Sequence, residues 1–169
     1  MTRSFTRLMA VLLLLPTVLV ALARPAAAAP GFVCHTQEGG TKGVSGHVTR
    51  IRMARHATYD RFVVQFRERR VPPFEVHRQR TSTFVMDASG RVIHLLGHAG
   101  IGVRFEPATG FGSYHGPRTF VPRFPQLREA RETGDFEAVY QWGLGVHRNS
   151  CIRVFTLNSP ARLIIDTRH

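Results

Sequence analysis

Over residues 61–67 the side chains take turns, with Phe62, Val64 and Phe66 set between Arg61, Val63, Gln65 and Arg67. A period of two places these sets on opposite faces of a strand, so a chain that repeats the pattern has to build sheets with a buried face. This chain repeats it. Ile51 and Met53 alternate with Arg50 and Arg52, and Tyr140, Trp142, Leu144 and Val146 alternate with Val139, Gln141, Gly143 and Gly145. Shorter strand-like runs cover residues 74–79, 84–86, 91–96, 101–105, 151–157 and 161–167. Pro72-Pro73, Asp87 to Gly90, and Asn158-Ser159-Pro160 punctuate them. The pattern predicts an all-β fold, a sandwich or barrel-like domain of short antiparallel strands. Residues 126–132 have the one helical composition. They predict one short helix of about two turns, stopped by Gly134. Residues 107–125 are rich in glycine and proline and predict a long loop. Its aromatics Phe111, Tyr114, Phe120 and Phe124 either stack on a sugar ring or cover an open end of the core, and the cover is favoured.

The first residues carry a different signal. Arg3 and Arg7 precede an apolar run from Leu8 to Leu22, which leads into Ala26 to Ala29. The run is shorter than the roughly 20 residues of a membrane helix, and small residues follow it, as in a secretory leader. The predicted division is a signal peptide over residues 1–28, a flexible tail over 29–46, whose order depends on Cys34, and a β domain over 47–169. A lipid anchor is not expected, because Gly31, Phe32 and Val33 precede Cys34 in place of a small-residue box. No later segment predicts a membrane span. Cys34 and Cys151, the two cysteines, would both meet an oxidising compartment and are predicted to form a disulfide.

Charge bounds the partners. Formal net charge is +12 for the chain, falling to about +9 once the leader's arginines are removed, and Lys42 is the one lysine. An anionic partner such as a cell-wall polymer fits this balance. Most arginines, among them Arg50, Arg52, Arg61, Arg78, Arg104 and Arg153, fall at alternating strand positions, as on a solvated sheet face. Arg67, Arg69 and Arg70 form the one dense cluster. With Phe111 and Tyr114 they are the candidate binding residues. Secretion, and the absence of aromatics interleaved with the basic cluster, argue against nucleic acid.

Little here predicts chemistry. His94 and His98 have the spacing of a helical zinc pair, but Gly97 and Gly100 favour strand and turn, where the rings would stand roughly 13 Å apart. No metal and no cofactor are expected. Asp60, Asp135, Glu137 and Asp166 are read as structural carboxylates. Asp60 shares the apolar face with Phe62 and Val64, so it should be paired; Arg162 is the expected partner. No nucleophile elbow or phosphate loop is present.

Several short motifs resemble a known family. Tyr59-Asp60-Arg61-Phe62-Val63-Val64-Gln65-Phe66, Gly134-Asp135-Phe136-Glu137, Trp142-Gly143-Leu144-Gly145 and Ser159-Pro160-Ala161-Arg162-Leu163-Ile164-Ile165-Asp166 are similar in order and spacing to the AMIN-like domain of secreted actinobacterial proteins. The likeness covers about residues 47–169, with Ala138 standing where a glycine is common. It implies an AMIN-type β-sandwich. It also implies a non-catalytic binding or localisation module of the cell envelope that contacts peptidoglycan or another anionic wall polymer. A small secreted hydrolase with a His/carboxylate site is the alternative. It requires a concave site that holds such a pair.

Overall fold

The computed structural model describes residues 30–169, and the predicted leader and its cut after Ala28 lie outside them. The described residues are all-β. One sheet runs in the order β1 (Gln37–Gly39), β4 (Phe74–Gln79), β7 (Ala99–Phe105), β11 (Val139–Val146), β10 (Leu127–Phe136) and β9 (Thr119–Phe120). The other runs β12 (Ile152–Asn158), β13 (Ala161–Arg168), β3 (Tyr59–Phe66), β2 (Gly46–Arg55) and β8 (Ala108–Thr109). A hairpin of β5 (Thr83–Val85) and β6 (Val92–His94) forms a separate two-stranded ladder. Pairing is antiparallel except between β2 and β8.

The alternation seen in sequence sorts as it must in a sandwich. Phe62, Val64 and Phe66 of β3 face Trp142, Val103 and Phe105 of the opposite sheet, and all are at least 98% buried. Phe62 lies 5.6 Å from Trp142 between ring centres, and Phe66 meets Phe105 edge-on at 5.1 Å. Each such ring stabilises the fold by roughly 2–3 kcal/mol through removal from water.

The segment expected to be helical is a strand. β10 pairs with β11 from Leu127 against Val146 to Phe136 against Val139. Register shifts between Leu127 and Glu129, and again between Glu132 and Gly134, interrupt the ladder. A bulge adds a residue to one strand, so Leu127 and Ala130, three apart, both face the core, as they would on a helix. Tertiary pairing overrides the local preference. At the tip, Glu137 and Ala138 have φ of 47° and 61°, the two positive angles of a type I′ hairpin turn. That is why glycine is the common choice at the second position. Residues 107–125 also differ from a plain loop, since they contain β8 and β9. Residues 37–39 join the six-stranded sheet as β1, against β4.

The glycines of β7 and β11 leave room for neighbouring groups to lie close to the sheet. Gly102 pairs with Gly143, and Gly100 with Gly145, making a side-chain-free strip on the outer face of the sheet. The ring of Phe84 lies on Gly100 and Gly143, that of His77 on Gly102, and the backbone at Leu96 on Gly145. A Cβ built at Gly143 would stand 3.0 Å from three Phe84 ring atoms. The strip therefore lets the β5–β6 hairpin lie flat on the sheet.

One end of the sandwich is tied by polar bonds. Cys34 and Cys151 form a disulfide with Cα atoms 4.4 Å apart. Arg78, at a strand position read as solvated, donates to the carbonyls of Ser150 (2.8 Å), Cys34 and Asn149. Asp60 is fully buried, as its alternation requires, but its partner is not Arg162, whose Nε donates to Pro160 O. Asp60 Oδ2 accepts from Gln126 N at 2.7 Å and Leu127 N at 2.8 Å, and Oδ1 lies 3.0 Å from His169 Nε2. Arg162 pairs with Gln65 at the other end of β3, out of reach. On the outer face, Asp166 sits directly across from Arg61 in register. Arg61 holds it with two donors, at 2.6 and 2.9 Å, and Arg153 adds two more. The Arg153 guanidinium lies 4.8 Å from the ring centres of both Phe32 and Tyr59. The hydrogen bonds to Asp166 push the Arg61 pKa up against its partial burial.

Candidate ligand-binding site

At the opposite end, β3 runs out at Phe66 and the chain turns through residues 67–73 into β4. Val71 anchors this connection in the core. Arg67, Arg69 and Arg70 point outward and are exposed. Glu68 turns the other way. Its Oε2 accepts from His47 N at 2.9 Å, and its Oε1 lies 2.7 Å from His47 Nδ1. Burial raises the Glu68 carboxyl, but the His47 backbone and ring outweigh it, so the net shift is downward and the carboxylate stays ionised.

Across from the arginines stands the turn between β12 and β13. An open concavity of about 480 Å³ lies between, lined by the 67–70 segment and Asn158, Ser159 and Pro160. A smaller depression of about 150 Å³ continues past Arg70 and Asn158 toward Thr41. Among the described residues none of the three guanidiniums has a carboxylate within salt-bridge distance. The site presents three cations, and the acid beside them is already occupied. Such planar donors match carboxylate or phosphate oxygens.

The structure separates the two aromatic candidates. Phe111 is 83% exposed, whereas Tyr114 is buried, edge-on to Trp142 with its hydroxyl donating to Pro117 O at 2.7 Å. Burial, with Glu132 nearby, pushes the Tyr114 phenol up to about 12. Tyr114 is thus a lid on the core, together with Phe120 and Phe124, and neither Phe111 nor Tyr114 lines the arginine concavity. The acidic motif is structural in geometry: Asp135 accepts from Thr109 Oγ1 at 2.7 Å and Gly110 N at 3.1 Å, which fixes the start of the loop. Phe136 is exposed at its tip, beside Glu137.

Three histidines lie against carboxylates: His47 on Glu68, His77 on Glu75 and His169 on Asp60. The first borders the concavity, but both Glu68 oxygens are taken by His47 itself. A larger hollow of about 510 Å³ at the β1–β4 edge mixes Glu38, Glu75 and Glu106 with Lys42 and Arg104 and favours neither sign of charge. His94 Nδ1 lies 3.0 Å from Thr83 Oγ1, and His98 lies beside His147 instead, with the rings tilted 58° to each other. No three His, Cys, Asp or Glu side chains converge on one point among the described residues. Sequence reading missed the Arg61–Asp166–Arg153 cluster; the signal was there, in two complementary charges on strands that both alternate.

The AMIN-like domain family matches residues 46–169, which is most of the chain. The chain belongs to the AMIN-like domain family. No curated protein and no solved structure matches it. The motifs of this AMIN-like domain are therefore explained by its fold: Asp60 and Asp166 as ties, Asp135 as a loop anchor, and Gly143 and Gly145 as the seat of a hairpin. AMIN-like domains are generally non-catalytic binding modules, and membership points to the cell envelope and an extracytoplasmic location. Among the described residues no helix is long and apolar enough to cross a membrane.

Proposed function

We propose that this AMIN-like domain is exported by an actinobacterium, loses residues 1–28, and attaches to an anionic polymer of the cell wall through Arg67, Arg69 and Arg70 without catalysing a reaction. The observation that carries the reading is the concavity itself: three exposed guanidiniums share it, while Glu68 is held by His47. Uncompensated charge in a recess attracts a polyanion and weakens with salt. The test is sedimentation of the purified mature protein with isolated walls. The wild type pellets at low salt and is released as salt rises. Reversal of all three charges (Arg67→Glu, Arg69→Glu, Arg70→Glu) lowers retention at least about tenfold. A wild type that stays in solution at low salt overturns the reading, as does a reversed variant that pellets equally well.

A further inference from the structure

A second basic recess lies at the tied end, where no charge cluster is visible in the sequence. The chain descends from the β5–β6 hairpin through Leu96, Gly97 and His98 into β7, and the His98 N–H donates to Val146 O at 2.9 Å. The next residue after β11, His147, donates its N–H to Gln126 O at 2.8 Å. These two bonds hold the imidazoles side by side, with ring centres 5.9 Å apart. Arg123, from the connection between β9 and β10, and Arg128 of β10 complete a cavity of about 330 Å³.

None of the six lining residues is acidic. Glu129, the neighbour of Arg128 on β10, is buried; its Oε2 accepts from Leu96 N, and its Oε1 lies 2.7 Å from Arg131 Nη2. Its charge is thus already met. Arg128 is steadied by a bond from Nη1 to Phe124 O at 3.0 Å, which leaves its other donors free to turn inward. Arg123 has φ of 52°, a backbone position where glycine is the unstrained choice. Local strain here places a guanidinium at the rim.

We propose that His98, His147, Arg123 and Arg128 form a binding site for a phosphate-bearing ligand, separate from the arginine concavity. Two guanidinium forks and two ring N–H donors suit the several oxygens of a phosphate, and the cavity leaves space for the group attached to it. A metal ion fits poorly, since two arginines would repel it.

Titration of the mature protein with inorganic phosphate, with ionic strength held by chloride and the His98 and His147 ring signals followed by NMR, tests the site. Saturable shifts of both rings are expected with phosphate and not with chloride alone. Saturation by dimethyl phosphate as well marks a phosphodiester polymer as the source; saturation by inorganic phosphate alone marks a small phosphomonoester. Arg123→Gln with Arg128→Gln should weaken binding at least about tenfold. Arg123→Gly serves as the folding control: it relieves the backbone, raises the melting temperature and still weakens phosphate binding. The triple reversal at Arg67, Arg69 and Arg70 should leave the titration unchanged, so this site and wall attachment can fail independently. Ring shifts no larger than those from chloride, or an unaffected Arg123/Arg128 double variant, overturn the proposal.

Discussion

Two arginine clusters at opposite ends of the sandwich are used in opposite ways. At the tied end Arg61, Arg78 and Arg153 are spent internally, on Asp166 and on the backbone carbonyls of residues beside the disulfide. At the other end Arg67, Arg69 and Arg70 have no carboxylate, and Glu68 is turned away from them. The difference teaches that arginine count says little about binding in such a chain. What matters is which guanidiniums the fold has already satisfied, because a paired charge is structural and an unpaired one in a recess remains available.

This contrast predicts that substitutions at the paired groups of the tied end change stability, and those at the unpaired arginines of the open end change wall binding. The largest effect should come from Cys34→Ser with Cys151→Ser. The cysteines are 117 residues apart, and opening that loop costs about 4–5 kcal/mol in the chain-entropy account, measurable by urea unfolding. A loss below about 1 kcal/mol would break the comparison, since the disulfide would then add little to the polar bonds around it. Next, Asp166→Ala leaves Arg61 and Arg153 half-buried without their carboxylate and should cost about 3 kcal/mol, with wall retention preserved.

Smaller effects sharpen the contrast at the open end. The lowered Glu68 pKa means that its ion pair stabilises the fold above the usual carboxylate range and ceases to do so as pH falls through the folded value. Glu68→Gln should flatten that acid limb by less than about 1 kcal/mol, because the pair is partly in water. It should also strengthen wall retention slightly, by removing the one negative charge bordering the recess. A Glu68→Gln protein that binds walls more weakly would show that the carboxylate positions the arginines. The triple arginine reversal, for its part, should move the urea midpoint by less than about 0.5 kcal/mol equivalent.

Much of the sandwich was legible because period-two alternation is a local property. Every strand with a clean pattern, such as Tyr59–Phe66 or Val139–Val146, stands where the sequence places it. Leu127–Phe136 was not legible, since its two bulges turn a strand period into a helix-like one. β1, β8 and β9 are too short to carry a pattern at all, and exist only because a neighbouring strand supplies hydrogen bonds. For the site, the Arg67 to Arg70 cluster is contiguous and so could be read directly. Asp60's partners could not, because Gln126, Leu127 and His169 are brought to it by the packing of the two sheets. Tyr114 and Phe111 have similar sequence surroundings and opposite burial, which depends on where one loop folds back over Trp142.

The bare glycine strip has a mechanical consequence. The Phe84 ring beds directly on the Gly100 and Gly143 backbone, so a side chain added at either glycine would lift the hairpin off the sheet. Leu96, at the foot of the hairpin, covers Gly145, while His98 and His147 are both bonded to the sheet beneath, through Val146 O and Gln126 O. Lifting the hairpin would therefore move Leu96, one wall of the recess that the two imidazoles share, while leaving the imidazoles in place.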